Sequence, residues 1–174
     1  MFDQTIQTVA RMVEVRDPYT ADHEERVAQL AVAIGQEMGK SQEHLKWIHT
    51  GGLLHDIGKI QIPAEILSKP GKISSNEFNL IKEHPSIGYN LVEGIEFSSS
   101  ITDIIAQHHE RLDGSGYPHG LKGDQINPLA QIMTVADVVE AISTHRPYRA
   151  SLGIDFALDL IKKNRGVWYA PKAV

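Results

Sequence analysis

The 174-residue sequence contains no cysteine, which excludes disulfide bonds, thiolate zinc sites and a cysteine nucleophile. No apolar run approaches the roughly 18 residues that a transmembrane helix needs. The first residues lack a basic stretch followed by an apolar one, so no secretory signal is visible and we expect a cytoplasmic protein. The net charge of −5 argues against a broad nucleic-acid-binding surface, and we expect neither DNA nor RNA as a partner.

The composition, with 41% apolar and 22% charged residues, is that of one globular domain large enough to bury a core. Apolar residues recur at helical spacing along most of the chain, and no segment has the alternation of a convincing strand. Polar residues suited to cap helices precede these segments. The predicted N-caps are Thr20, Ser41, Ser74 and Asn127. The sequence therefore predicts a single all-α domain over residues 1–174.

Nine histidines are more than this length usually carries, and several lie at chemically suggestive positions. His55-Asp56 places an imidazole beside a carboxylate, a pairing that suits divalent transition metals and allows the carboxylate to bridge two of them. His23, His55 and His108 extend apolar helix faces near predicted helix ends, where an unpaired imidazole would be costly to bury. One inward histidine is most often an ordinary core residue. Several together favour a metal site.

The order of these residues resembles the HD-GYP branch of the HD phosphohydrolase superfamily. The matching segments are residues 17–27, 54–59, 83–85, 108–118, 136–137 and 146–149, and they extend over nearly the whole chain. The resemblance implies a helical bundle of the HD phosphohydrolase type with a glycine-rich loop around Gly116-Tyr117-Pro118. It also implies a metal-dependent phosphodiesterase that opens cyclic di-GMP to linear pGpG, and then to GMP in some members, by means of a metal-bridging hydroxide.

The resemblance also implies a set of metal ligands. One ion would be held by His23, His55, Asp56 and Asp137. A second ion would share Asp56 and take His84, His108 and His109. Nitrogen and carboxylate ligands without thiolate favour iron or manganese over structural zinc. Family members with three metals place a glutamate four residues before the first histidine, where this chain has Tyr19, so we predict two metals.

Substrate contacts follow from the same resemblance. Lys59 would contact the substrate phosphate and assist the leaving group, and so act as a catalytic residue together with Asp56. Arg146 and Arg149, three residues apart, would bind a phosphate. Gly116, Tyr117 and Pro118 would lie beside the substrate and contact partner domains such as diguanylate cyclases. A surface lysine, solvated arginines and a plain structural turn are the corresponding alternatives.

The remaining histidines and both tryptophans match no motif position. We assign His44, His49, His119 and His145 to the surface or to ordinary packing, and Trp47 and Trp168 to the core or an interface. Residues 167–174 stop where the family's domain usually adds a closing helix, so we expect a fragment of a longer protein, and pairing with a second copy is left open.

Two alternatives to the leading hypothesis stay open. The chain could be a metal-loaded module that senses cyclic di-GMP or docks a partner without turnover. It could also hydrolyse another cyclic dinucleotide, because the residues that recognise the bases lie outside these motifs.

Overall fold

The computed structural model describes residues 2–15, 22–144 and 151–174, and in these ranges the chain is helical. Over this part of the chain the only β pairing is two isolated bridges, Asp113 with Lys122 and Arg165 with Tyr169. Two short 3₁₀ segments span Ile57–Gln61 and Gly123–Gln125. The α-helices are α1 (Phe2–Glu14), α2 (His23–Glu37), α3 (Gln42–Leu54), α4 (Ala64–Leu67), α5 (Ser75–Ile81), α6 (His84–Val92), α7 (Ser99–Gln107), α8 (Pro128–Ser143) and α9 (Ile154–Lys163). The predicted all-α class is confirmed.

Local sequence signals define where several helices begin. The Ser41 side chain accepts a hydrogen bond from the His44 amide at the start of α3. Ser74 and Glu77 form a reciprocal capping box at α5. Asn127 caps α8, where Pro128 follows. Helix α2 begins at His23 after Asp22, which has a φ of 59°, whereas the predicted cap Thr20 lies outside the described residues.

Helix α8 lies at the centre of the larger of two apolar clusters. Ile132, Met133 and Ala136 of α8 are fully buried, and they pack with residues of α2, α3 and α9. A second cluster joins α1, α3 and α7 around Leu53, Leu54 and Ile105. Together the clusters hold the ends of α2, α3 and α7 in fixed positions on one side of α8.

The buried side of α6 differs from the prediction. The helical spacing of apolar residues in this segment predicts that Ile87 and Leu91 face the core, but Ile87 is only half-buried and Leu91 is exposed. Gly88 and Val92 face inward instead. A Cβ added at Gly58 would lie 1.9 Å from the His84 carbonyl oxygen and 2.6 Å from the Gly88 amide nitrogen. The backbone of residues 57–61 therefore packs directly on α6, and this close approach selects the side that is buried.

Within the described ranges, every helix is too short or too polar to cross a lipid bilayer.

Candidate metal centre

Histidines at helix ends converge on Asp137 in the middle of α8. His23 is the first residue of α2, His84 is the first residue of α6, and His55 and His108 directly follow α3 and α7. His109 comes one residue later and is half-buried, whereas the other four histidines are at most 2% exposed. The seven predicted ligands are brought together here: His23, His55, Asp56, His84, His108, His109 and Asp137.

One group of possible ligands surrounds the Oδ1 atom of Asp56. His84 Nε2 lies 3.1 Å from this oxygen and His108 Nε2 lies 3.9 Å from it. The two ring nitrogens are 3.1 Å apart. His109 completes a set in which one ligand atom from each residue lies within 4.8 Å of the others.

A second group includes the other carboxylate oxygen of Asp56. His55 Nε2 lies 3.6 Å from Asp56 Oδ2 and 4.0 Å from Asp137 Oδ1. His23 Nε2 lies 3.3 Å from the same Asp137 oxygen. His23, His55 and Asp56 form the second metal-compatible set. Asp56 is therefore common to both groups.

Backbone carbonyl groups orient three of the histidine rings. His55 Nδ1 donates to the Gly52 carbonyl at 2.6 Å, His84 Nδ1 to Ile81 at 2.7 Å, and His108 Nδ1 to Ile105 at 2.9 Å. Because a carbonyl oxygen can only accept, the proton lies on Nδ1 and each neutral ring presents a lone pair at Nε2. This is the arrangement in which imidazole binds a metal.

The surroundings of the buried Nε2 atom of His55 indicate whether a cation fits this centre. Among the described residues it has no hydrogen-bond partner, although it is shielded from solvent. An orphaned buried nitrogen is costly. The Nε2 atoms of His84 and His108 face each other at 3.1 Å, a contact that needs a proton or a cation between them. The donor set therefore fits divalent metal ions.

The ionisation states agree with metal binding. Burial lowers the pKa of His55 and His108, and it lowers the pKa of His109 to about 3, so these rings are neutral at pH 7. Burial opposes ionisation of Asp56 as well, but the positive charge of the neighbouring Lys59 holds its pKa well below the usual value. Asp137 is likewise held ionised against burial by its hydrogen bond with His23.

His23 differs from the other rings because two carboxylates contact it. Burial lowers its pKa, but hydrogen bonds to Asp137 and Glu140 outweigh burial and raise the pKa to about 10. The ring is therefore protonated at neutral pH when no metal is bound. A metal ion at Nε2 must displace this proton.

Lys59 lies beside Asp56 at the edge of the centre. Its Nζ atom is 2.5 Å from Asp56 Oδ2, and its side chain is only 14% exposed. A partly buried ammonium group beside the shared carboxylate is suitably placed to contact an anionic substrate.

The Gly116-Tyr117-Pro118 loop packs against His109. The Tyr117 ring stacks on the His109 ring with 4.7 Å between centroids, and the Tyr117 amide donates to the His109 carbonyl at 3.2 Å. Gly114 has a φ of 83°, a conformation that favours glycine. Gly116 is required by space instead, because an added Cβ would lie 2.5 Å from backbone atoms of residues 109–111.

Two buried glutamates have roles that sequence reasoning missed. Glu110 is 1% exposed and accepts hydrogen bonds from the His119 and Leu121 amides, which holds the loop beside the centre. The helical spacing of α8 predicts that Glu140 faces inward, and in the structure Glu140 contacts His23 directly. The available signal was a carboxylate on an apolar helix face, one turn after Asp137.

Several predicted residues lie outside the described part of the chain: Tyr19, His145, Arg146 and Arg149. The packing role predicted for the tryptophans is confirmed, since Trp47 and Trp168 are half-buried against the apolar clusters. His44 packs edge-on against Trp47, and His49 lies 3.9 Å from Glu25, so both belong to ordinary surface packing. His119 is exposed.

Comparison with known proteins identifies the family. The model of the HD domain family matches residues 7–173. The chain belongs to the HD domain family. Its resemblance to the HD-GYP branch is confirmed by its curated relatives.

Two curated relatives and one solved structure illustrate the similarity. The chain is 40% identical over 173 residues to the cyclic di-GMP phosphodiesterase response regulator RpfG of Xanthomonas campestris pv. campestris, covering 98% of this chain and 46% of that protein. It is 36% identical to the 3′3′-cGAMP-specific phosphodiesterase 3 of Vibrio cholerae, covering 91% and 35%. Bd1817, an HDG"Y"P protein from Bdellovibrio bacteriovorus, shares the fold with a TM-score of 0.72 at 24% identity, covering 87% and 48%. This HD domain thus spans less than half the length of these proteins.

Proposed function

We propose that this HD domain is a metal-dependent phosphodiesterase that hydrolyses cyclic di-GMP to linear pGpG. The observation that carries the proposal is the convergence of five histidines and two aspartates into two groups that share Asp56. A shared carboxylate is the usual means of holding two cations close together, and paired cations are suited to phosphodiester hydrolysis. RpfG, which is 40% identical, is named for this substrate.

The ligand assignment follows the two groups. His23, His55, Asp56 and Asp137 would hold one ion, and Asp56, His84, His108 and His109 would hold the other. Iron or manganese suits this nitrogen and oxygen set. When bound, the ions would lower the pKa of water to near neutrality and offset negative charge on the phosphodiester.

The protein's own groups supply orientation and charge. Asp56 directs Oδ1 toward His84 and Oδ2 toward His55, which supports a bridging role. Lys59, beside Oδ2, can offset negative charge on the phosphate and on the departing 3′ oxygen. Tyr117, stacked on His109, provides an apolar wall at the mouth of the centre. Arg146 and Arg149 would bind a phosphate group of the substrate.

A direct assay tests the proposal. Protein loaded with Mn²⁺, or with Fe²⁺ without oxygen, is incubated with cyclic di-GMP and the products are separated by chromatography. We expect linear pGpG, and the time course shows whether GMP follows. Binding of cyclic di-GMP without a linear product would instead indicate a sensing or docking module. The absence of both binding and turnover would contradict the proposal.

A second substrate is favoured by three relatives that are named as 3′3′-cGAMP-specific phosphodiesterases. The same assay with 3′3′-cGAMP in parallel measures the ratio of the two kcat/KM values. If kcat/KM is higher for 3′3′-cGAMP than for cyclic di-GMP, then 3′3′-cGAMP is the preferred substrate. Docking of a diguanylate cyclase through residues 113–123, and pairing of two copies, stay predictions.

A further inference from the structure

We infer that Glu140 is a positioning residue that fixes the tautomer and orientation of His23 so that Nε2 faces the metal centre. This inference rests on the proposed metal binding. It is carried by the hydrogen-bond geometry of Glu140, which is 5% exposed.

His23 is oriented differently from three of the other histidines. His55, His84 and His108 each donate from Nδ1 to the carbonyl group three residues earlier. His23, the first residue of α2, has a side-chain partner. Its Nδ1 atom instead contacts Oε2 of Glu140, on a different helix.

The two oxygens of Glu140 have separate partners. Oε1 accepts from Arg26 Nε at 2.8 Å, from Arg26 Nη2 at 2.7 Å and from Thr144 Oγ1 at 2.8 Å. Oε2 contacts His23 Nδ1. Because Oε1 is held by three donors, the carboxylate group cannot turn freely and Oε2 stays directed at His23.

Two carboxylates on one face of α8 hold the His23 ring between them. Asp137 and Glu140 are three residues apart and therefore project from the same side of the helix. Asp137 Oδ1 lies 3.3 Å from Nε2, and Glu140 contacts Nδ1. With the Nδ1 proton held by Glu140, Nε2 is the nitrogen that remains to bind a metal. A carboxylate behind a metal-binding histidine also raises its basicity.

Glu140→Gln gives the sharpest test. Arg26 and Thr144 will hold the amide oxygen in the place of Oε1, so that the amide NH₂ group faces His23. An NH₂ group can only donate, so the His23 proton moves to Nε2 and blocks the metal. We expect the affinity of one of the two metals to fall about 10- to 100-fold, while the metal held by His84, His108 and His109 is retained.

Two readouts separate positioning from a general structural effect. Metal content and affinity are measured by elemental analysis and calorimetry, and the tautomer of His23 is read from its ring ¹⁵N shifts above pH 10 in metal-free protein. Glu140→Asp retains an acceptor and should preserve the Nδ1–H tautomer with an intermediate affinity. Glu37→Gln, an exposed change on α2, is the matched control and should change neither readout.

The outcomes are distinguishable from failure of the proposed function. If the unaltered protein binds no metal, the proposed function fails. If it binds two metals and Glu140→Gln binds both with unchanged affinity, the inference is wrong. Should Glu140→Gln not fold, Thr144→Val removes one donor from Oε1 and should weaken the same single metal several-fold. Equal binding by Thr144→Val and the unaltered protein would then overturn the inference.

Discussion

Asp56 is the one side chain that belongs to both groups of the candidate centre. Its Oδ1 atom lies 3.1 Å from His84 Nε2, and its Oδ2 atom lies 3.6 Å from His55 Nε2 and 2.5 Å from Lys59 Nζ. The two oxygens of one buried carboxylate thus face different partners. Loss of this residue should affect both metal sites at once, whereas loss of a histidine should affect one.

Asp56→Ala should reduce bound metal from two ions per chain to less than one and lower turnover by about 10³-fold or more, equivalent to ~4 kcal/mol in the barrier. The physical reason is that the shared carboxylate is removed while the histidines keep their positions. Elemental analysis and the pGpG assay measure the two effects. Asp159→Ala, on the exposed side of α9, is the control. Metal content near two in Asp56→Ala would contradict the ligand assignment.

In the proposed function, the positive charge of Lys59 offsets negative charge on the substrate. Lys59→Ala should keep both metals and lower kcat by about 10²- to 10³-fold, the range found when one charge-stabilising donor is removed from an active site. Lys72→Ala removes a positive charge from an exposed position and should leave kcat unchanged. Metal analysis confirms that the centre is intact. An unchanged kcat in Lys59→Ala would remove this residue from the catalytic group.

At the scale of elements, the contact between residues 57–61 and α6 holds His84 in place. Gly58→Ala puts a Cβ 1.9 Å from the His84 carbonyl oxygen, and backbone atoms cannot move aside cheaply. We expect a loss of about 1–3 kcal/mol in the free energy of unfolding and weaker binding of the metal near His84. Denaturant unfolding and metal titration measure these changes.

Gly94→Ala provides the matched control for Gly58→Ala. An added Cβ at Gly94 would meet nothing within 4 Å among the described residues. The free energy of unfolding of Gly94→Ala should change by no more than about 0.5 kcal/mol. Equal stability of the two variants would show that α6 can shift without cost, contrary to the close packing at Gly58.

The helices could be predicted from local signals, whereas side-chain contacts between helices could not. Ser41, Ser74 and Asn127 were predicted correctly as caps because a cap depends on residues within one turn. The burial of Leu91 was predicted wrongly because the side of α6 that faces inward depends on glycines of another segment. The role of Glu140 depends on His23, 117 positions away in sequence, and no local pattern reveals such a contact.

The candidate centre as a whole joins elements that are distant in the chain. Its ligands come from the ends of α2, α3, α6 and α7 and from the middle of α8. By the proposed assignment, one ion would link α2, α3 and α8, and the other would link α3, α6 and α7. Such an ion should stabilise the fold, since the unfolded chain does not preserve the site. The gain is about 2.7 kcal/mol for each ion at a concentration 100 times its Kd.

Metal removal should therefore lower thermal stability. With chelator, we expect Tm to fall by roughly 5–10 °C for each ion removed, because each ion contributes about 2.7 kcal/mol and ~1 kcal/mol corresponds to about 2–4 °C for a domain of this size. Calorimetry of metal-loaded and metal-free protein measures the difference. Asp56→Ala is the control, and its Tm should not respond to chelator. An equal response of both proteins would show that the stabilising metal binds elsewhere.

Without metal, the shifted pKa values of the buried histidines should place the maximum of the free energy of unfolding near pH 6.5. Below this pH the unfolded chain protonates its histidines, but burial keeps His55, His108 and His109 neutral in the fold, with the pKa of His109 at about 3. The unfolded state then binds more protons, so the free energy of unfolding falls as pH falls from 6.5 toward 3. His23 acts in the opposite direction. Hydrogen bonds to Asp137 and Glu140 outweigh burial and raise the pKa of His23 to about 10. The contribution of His23 to the free energy of unfolding is therefore complete below pH 6.5 and is lost as pH rises through 10.

Thermal unfolding of chelated protein between pH 4 and 10 tests both sides of this maximum. His23→Gln should flatten the decline between pH 6.5 and 10, because only His23 has a raised pKa among the histidines whose pKa is shifted in the described centre. A Tm that rises steadily from pH 6.5 to 4 would mean that His55, His108 and His109 are protonated in the fold. Those rings could not then present lone pairs to a metal at neutral pH without a structural change.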